Sequence, residues 1–376
     1  AEGFYLALAL LFAVGYGLNY FAPRTRVPAF VWAIFFGMAL QVPFSVLTAD
    51  KSALLIIVEL LAAFVLFAGG VEVPVKNFKK YFAPIASLSL FGTLLTILLF
   101  ALALEFITPL LGFDIPAIAL LLLAAILASI DPTAIIPTLN SLKLKKPWLK
   151  DLAVSESAVN DVVGTIVTRF FLVGAVSVSV VAGSSVLDGF GPLLVRDTLD
   201  TIALEILWGL GVGVLGAWIL RQWSGSVRKH HWSDPALFFA VPIFTFALGS
   251  LIGGSGFLAA FVAGLLFEAQ KETKLVHHFF ENFVDHFIKP VIFILLGALV
   301  PIAVLLDTAA IGLIAAIIFM FVVRPLIVYV SLVPWMYQKK ALFTWRELIF
   351  ISFIRETGAI PAILILAAVA AGVVAS

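Results

Sequence analysis

The chain has 376 residues, 63% of them hydrophobic and 12% charged, with a formal net charge of +1 and a mean hydropathy of +1.17. Soluble domains carry about 25% charged residues, so this composition excludes a water-soluble globule, and a net charge so near zero gives no footprint for nucleic acid. Cysteine is absent, which removes disulfides, thiol catalysis and thiolate-held metals.

Twelve apolar segments follow in chain order, at about 4–20, 28–47, 53–73, 82–108, 116–139, 150–181, 199–221, 235–253, 255–270, 284–305, 308–334 and 345–375. The first has no basic stretch before it and reads as a span rather than a signal peptide. Only helices or closed barrels satisfy backbone polar groups in lipid, and long apolar runs without strict alternation exclude a barrel. The expected fold is therefore an all-α polytopic membrane protein. Seventeen of the 23 Lys and Arg residues fall in alternate loops, in groups such as Lys76, Lys79 and Lys80, or Lys143, Lys145, Lys146 and Lys150. The opposite loops hold Lys51 and Arg196. Basic loops stay in the cytoplasm, which places the N-terminus outside.

Helix breakers at depth occur twice. Segment five contains Asp131-Pro132 and Pro137; segment twelve contains Gly358 and Pro361 beside Arg355 and Glu356. Ordinary proline kinks are one reading. Polar residues at both breaks favour another: paired interrupted helices in corresponding halves mark an inverted-repeat transporter, with its site at the breaks. On that reading residues 1–376 form one membrane transport domain. Its repeats are about 4–181 and 235–376, with a connector helix at about 199–221. The symmetry expects 13 spans in the full fold, so the mate of segment six would lie beyond Ser376.

Segment six carries Glu156-Ser157-Ala158-Val159-Asn160-Asp161. Ionisable residues in hydrocarbon are costly, and by default they mark an ion or proton pathway. At 3.6 residues per turn Ser157, Asp161 and Thr165 share one face, with Thr168 near it, while Glu156 and Asn160 share the neighbouring face. Oxygen ligands suit hard cations. Asp131, Thr133 and unwound carbonyls at the segment-five break would add more of them. Glu156 needs a positive partner in so apolar a setting. Arg324 is the first candidate and Arg355 the second. Arg324 stands about ten residues from the end of segment eleven, about 15 Å along a helix, too far for easy snorkelling to the interface.

Together, Asp131-Pro132, the Glu156–Asp161 run, Arg324 and Arg355 through Gly358-Ala359-Ile360-Pro361 resemble the monovalent cation/proton antiporters. The nearest likeness is to the NhaP/NHE branch, whose sixth helix carries Asn-Asp. The resemblance implies an inverted-repeat fold with two crossed, unwound helices. It implies Asp161 as the cation- and proton-binding carboxylate, Asn160 as its neutral neighbour and Ser157 as a coordinating hydroxyl. Asp131 and Thr133 would sit at the helix crossing, and Glu156 would pair structurally with Arg324. Glu72, Arg355 and Glu356 would line the ion path. The exchange would be 1:1 and electroneutral: Na⁺, with Li⁺ or K⁺ as alternatives, against H⁺. The protein would be a homodimer of a bacterial or archaeal plasma membrane, serving pH homeostasis, with no cofactor and no enzymatic reaction. Two departures bear on selectivity: Ile130 stands where the family often has Thr, and Glu356-Thr357 intervene between Arg355 and Gly358.

Weaker signals remain. His277, His278 and His286 cluster with Glu281 and Asp285, as loop residues or as a pH sensor. Gly209, Gly213 and Gly216 form a small-residue stripe on segment seven, for close packing or for a dimer contact. The rival functions are a K⁺ efflux system on the same scaffold and a sodium-coupled organic-solute symporter. The first usually carries a cytosolic nucleotide-binding domain; the second needs a roomier polar cavity than these clustered acids provide.

Overall fold

The computed structural model of the chain describes residues 2–25, 27–129, 146–177, 185–227, 235–267, 274–337, 342–354 and 358–373. Every regular element among them is a helix, as an apolar backbone in lipid requires. Each of the twelve sequence segments carries helix. Among the described residues six helices are long and apolar enough to cross a membrane: Glu2–Thr25, Lys51–Glu72, Phe82–Leu110, Arg196–Gln222, His278–Leu299 and Ile302–Met336. Segment two departs from a straight span. Its helices Ala29–Ala39 and Gln41–Thr48 meet at 91°. Pro43 accounts for the break, because its ring would clash with the Ala39 carbonyl of a continuous helix.

The chain divides into two compact units, each drawing on both halves of the sequence. The first comprises Ala1–Glu72, Ala203–Leu305 and Ala362–Ser376. Its helices cross where glycines let backbones touch. A Cβ on Gly37 would fall on the Ile294 carbonyl oxygen, and one on Gly297 on that of Ile34. A Cβ on Gly70 would fall on the Phe261 carbonyl oxygen, and one on Gly264 on that of Phe67. The stripe on segment seven is spent in the same way. Gly213 packs on Val262 and the Ala259 carbonyl, 2.8 Å from where its Cβ would lie, and Gly216 packs on Thr245. The stripe thus serves close packing inside the chain, the first of its two sequence readings.

The second unit comprises Val73–Ile202 and Leu306–Pro361. It contains segments four, five, six and eleven and the first part of twelve. Segment five is helical over Ala117–Ala128 and leaves the helix at Ser129, which is extended (φ −69°, ψ 140°). Segment twelve is helical over Trp345–Phe353 and leaves it at Ile354 (φ −79°, ψ 85°), with helix again from Ala359. A π turn, Phe319–Val323, sits immediately before Arg324-Pro325. The proline ring would strike the carbonyl of Phe321 in a regular helix, and the wider turn relieves the clash. A second π turn, Ser87–Phe91, interrupts segment four. At one end of the unit Lys146 Nζ donates to the Leu342 carbonyl (2.9 Å) and pairs with Glu347 Oε1 (3.0 Å). Tyr81 stacks on Trp148 at 4.4 Å beside them. These contacts tie the start of segment six to the start of segment twelve.

Candidate ion-binding site

The segment-six helix, Trp148–Ser177, presents two polar faces that do different things. Glu156 and Asn160 look onto segments four and eleven. Arg324 Nη2 reaches both oxygens of Glu156, at 2.8 Å from Oε1 and 3.0 Å from Oε2, and both side chains are buried. The pair is made end-on through one nitrogen, and Arg324 Nε has no hydrogen-bond partner among the described residues. Ser89 Oγ donates to the Glu156 carbonyl at 3.0 Å, and a hydrogen bond of 3.0 Å links Thr93 Oγ1 to the Asn160 side-chain amide. Ser89 to Thr93 and Glu156 to Asn160 are each one helical turn, so segment four docks on segment six in register.

Asp161 faces the other way. It is half-buried, whereas Glu156 and Asn160 are almost fully enclosed. The fully buried Ser129 donates its hydroxyl to Asp161 Oδ1 in a short hydrogen bond. That contact falls where the segment-five helix stops, so the end of one helix meets the acid of another. Gly164, one turn after Asn160, makes the approach possible: a Cβ there would lie 3.3 Å from the Ser129 Cβ. Thr165 donates to the Asp161 carbonyl at 2.7 Å, and Ser157 is buried on the same helix. A carboxylate with hydroxyls around it and partial access to solvent can hold either a proton or a small cation, but not both at once.

Of the residues singled out from sequence, the structure brings Glu156 to Arg324 and places Ser157, Asn160 and Asp161 on the one helix. Asp131, Thr133, Arg355 and Glu356 lie outside the described residues. Glu72 closes the helix Lys51–Glu72 of the first unit and is half-buried. His278 lies 3.8 Å from Glu281 on an exposed surface, and Asp285 pairs with Lys289 at 2.7 Å. Three residues escaped the sequence reading: Ser89, Thr93 and Ser129. Ser89, Thr93 and Thr96 recur at i, i+4 and i+7, a polar stripe on an apolar helix that periodicity alone could have flagged. Ser129 carried no signal except its nearness to Asp131-Pro132.

A family model described as sodium/hydrogen exchanger, transmembrane, matches residues 7–376. The chain belongs to the sodium/hydrogen exchanger family. Its relatives include the K(+)/H(+) antiporter NhaP2 of Shewanella sp. strain MR-4, 26% identical over 370 residues, which cover 96% of this chain and 60% of the relative. The K(+)/H(+) antiporter NhaP of Alkalimonas amylolytica is 28% identical over 314 residues, 82% of this chain and 50% of its own. The Na(+)/H(+) antiporter NhaP of Pseudomonas aeruginosa is 26% identical over 239 residues, 62% of this chain and 53% of its own. The chain thus spans between half and two thirds of the length of these relatives. Among solved structures, the sodium proton antiporter MjNhaP1 from Methanocaldococcus jannaschii at pH 8 superposes with a TM-score of 0.75 at 19% identity. That match covers 97% of this chain and 88% of the other. The chain therefore shares the fold of that structure, all-helical as the sequence implied.

Proposed function

We propose that this exchanger moves a monovalent cation against H⁺ across a plasma membrane, with Asp161 as the carrier carboxylate. One observation carries the reading: Glu156 is buried with its charge already matched by Arg324, while Asp161, five residues on, is half-buried and meets the Ser129 hydroxyl where the segment-five helix stops. A single carboxylate takes one proton or one cation, so the exchange is 1:1 and electroneutral. The neutral Asn160 adds no second titrating charge. Ser129 and Ser157 supply hydroxyl oxygens, and Asp131 and Thr133 complete the set on the family resemblance. Ser129 offers a hydroxyl one position before Ile130, where the family often has Thr. Na⁺ is our first assignment, and the relatives named for K⁺ and for Na⁺ make K⁺ the alternative to test, with Li⁺ beside it. Glu72, Arg355 and Glu356 are assigned to the ion path, and no cofactor is called for.

The same reading covers the frame. The basic loops put the N-terminus outside, and the protein works as a homodimer in a bacterial or archaeal membrane. The inverted repeat is supported by the glycine crossings of the first unit. Gly264 follows Gly37 by 227 residues (264 − 37), and Gly297 follows Gly70 by the same 227 (297 − 70). The crossing of segments three and nine is thus repeated, with roles exchanged, in the crossing of segments two and ten. The helices that carry Gly70 and Gly297 also end at that offset, at Glu72 and Leu299. Alternating access then follows if the loaded site can move while the bare, ionised site is too costly to carry through the protein. Reconstitution into proteoliposomes tests the proposal, with internal pH followed as Na⁺, K⁺ and Li⁺ are added in turn. Saturable, cation-dependent proton movement is expected. Single-channel currents, or no response to any of the three ions, would overturn it.

A further inference from the structure

The Thr93 hydroxyl has one proton and two acceptors in reach. Its Oγ1 lies 2.5 Å from the Ser89 carbonyl oxygen, one turn back on its own helix, and 3.0 Å from the side-chain oxygen of Asn160. Both cannot be served at once. A threonine inside a helix characteristically gives its proton to the carbonyl four residues back, and the shorter contact is that one. Thr96 does the same to Gly92 at 2.7 Å. With the proton committed to Ser89, Oγ1 presents lone pairs to Asn160. An amide oxygen facing lone pairs at 3.0 Å is repelled, and all three residues are buried, so water offers no relief. A carboxamide keeps its shape when its oxygen and nitrogen exchange places, and the surrounding network sets which faces where. Turned by 180°, Asn160 donates from Nδ2 to Thr93 Oγ1, and the repulsion between the two oxygens is removed. Among the described residues Thr93 is the one hydrogen-bond partner of the Asn160 side chain.

We propose that Thr93 is a positioning residue for the exchange: it accepts from Asn160 Nδ2 and so turns the Asn160 carbonyl oxygen away from segment four, where it stands as a fixed neutral acceptor next in sequence to Asp161. This rests on the carrier reading of Asp161. Thr93 touches no transported ion. It acts through Asn160, whose amide would otherwise be free to present N–H groups, which repel a cation, in place of an oxygen.

The test uses the full chain in proteoliposomes: wild type, Asp161→Asn, Thr93→Val and Thr93→Ser, with half-saturating cation concentration, maximal rate and detergent melting temperature measured for each. Thr93→Val keeps the shape and deletes the acceptor. It is expected to raise the half-saturating concentration by about three- to ten-fold, the equivalent of one hydrogen bond, with a much smaller change in maximal rate. Thr93→Ser restores the acceptor and is expected to return to within about two-fold of wild type, since it keeps the same hydrogen bond. A purely structural role would lower the amount of active protein and the maximal rate without moving half-saturation. Should Thr93→Val not fold, Thr93→Ala takes its place in the same comparison. Unchanged half-saturation in the deletion variants, or a serine variant as impaired as valine, overturns the positioning role. Wild-type exchange that disappears in Asp161→Asn upholds the carrier reading separately, so the two failures are told apart.

Discussion

Asp161 and Glu156 lie little more than one turn apart on one helix, yet their surroundings give them opposite tasks. Asp161→Asn removes the group that alternates between proton and cation while keeping its shape. Cation-driven proton movement in proteoliposomes is expected to fall to the level of empty liposomes, with the melting temperature in detergent unchanged. Glu156 is enclosed with Arg324, and buried pairs are strongly destabilised when one partner is lost, by about 3–5 kcal/mol. Arg324→Met alone is therefore expected to lower thermal stability sharply. The double variant Glu156→Leu with Arg324→Met should recover most of it, because no buried charge is left uncompensated. Both acids, and Arg324 as the partner, could be read from the sequence, since charges inside apolar segments stand out. Ser129 could not, and Thr93 was legible only as one member of a polar stripe: a hydroxyl in a membrane helix costs little and is common, and only the crossing of helices shows which one meets the site.

Helix crossings are where glycine content turns into architecture. Gly211 and Gly213 are near neighbours on segment seven, but Gly211 faces open space while Gly213 abuts Val262 and the Ala259 carbonyl. Gly213→Ala is expected to destabilise by forcing the helices apart. Gly211→Ala should be neutral or stabilising by up to about 1 kcal/mol, the helix propensity gained; thermal unfolding of the two variants side by side checks this. The sequence offered the stripe for either packing or dimer contact, and the choice depended on which face met segments eight and nine. Prolines acted more variably. Pro43 goes with a 91° bend, whereas Pro325 is absorbed by a π turn that leaves the helix continuous around Arg324. Local sequence marks each proline as a disturbance; neighbouring helices decide whether the backbone bends or widens.

At the scale of the whole molecule, charge asymmetry makes a claim that labelling can reach. The chain has no cysteine, so a single introduced thiol reports alone. Lys80→Cys is expected to react only with a reagent supplied from the cytoplasmic side, and Asp114→Cys only from outside. A 1:1 carrier also predicts that an imposed membrane potential leaves the rate of cation-dependent proton movement unchanged in proteoliposomes; strong acceleration would mean more than one charge moves per cycle. Hydropathy determined by itself that the chain is an all-helical membrane protein, because the bilayer acts on every residue as a solvent and needs no partner to be known. The acid-bearing helix was legible for the same reason. Tertiary structure alone decided how the chain divides into two units that each mix both halves, which glycines are crossings, and that Ser129 reaches the Asp161 carboxylate. Those outcomes depend on contacts between residues far apart in the chain, and a linear pattern records the cost of burying a group without recording what it is buried against.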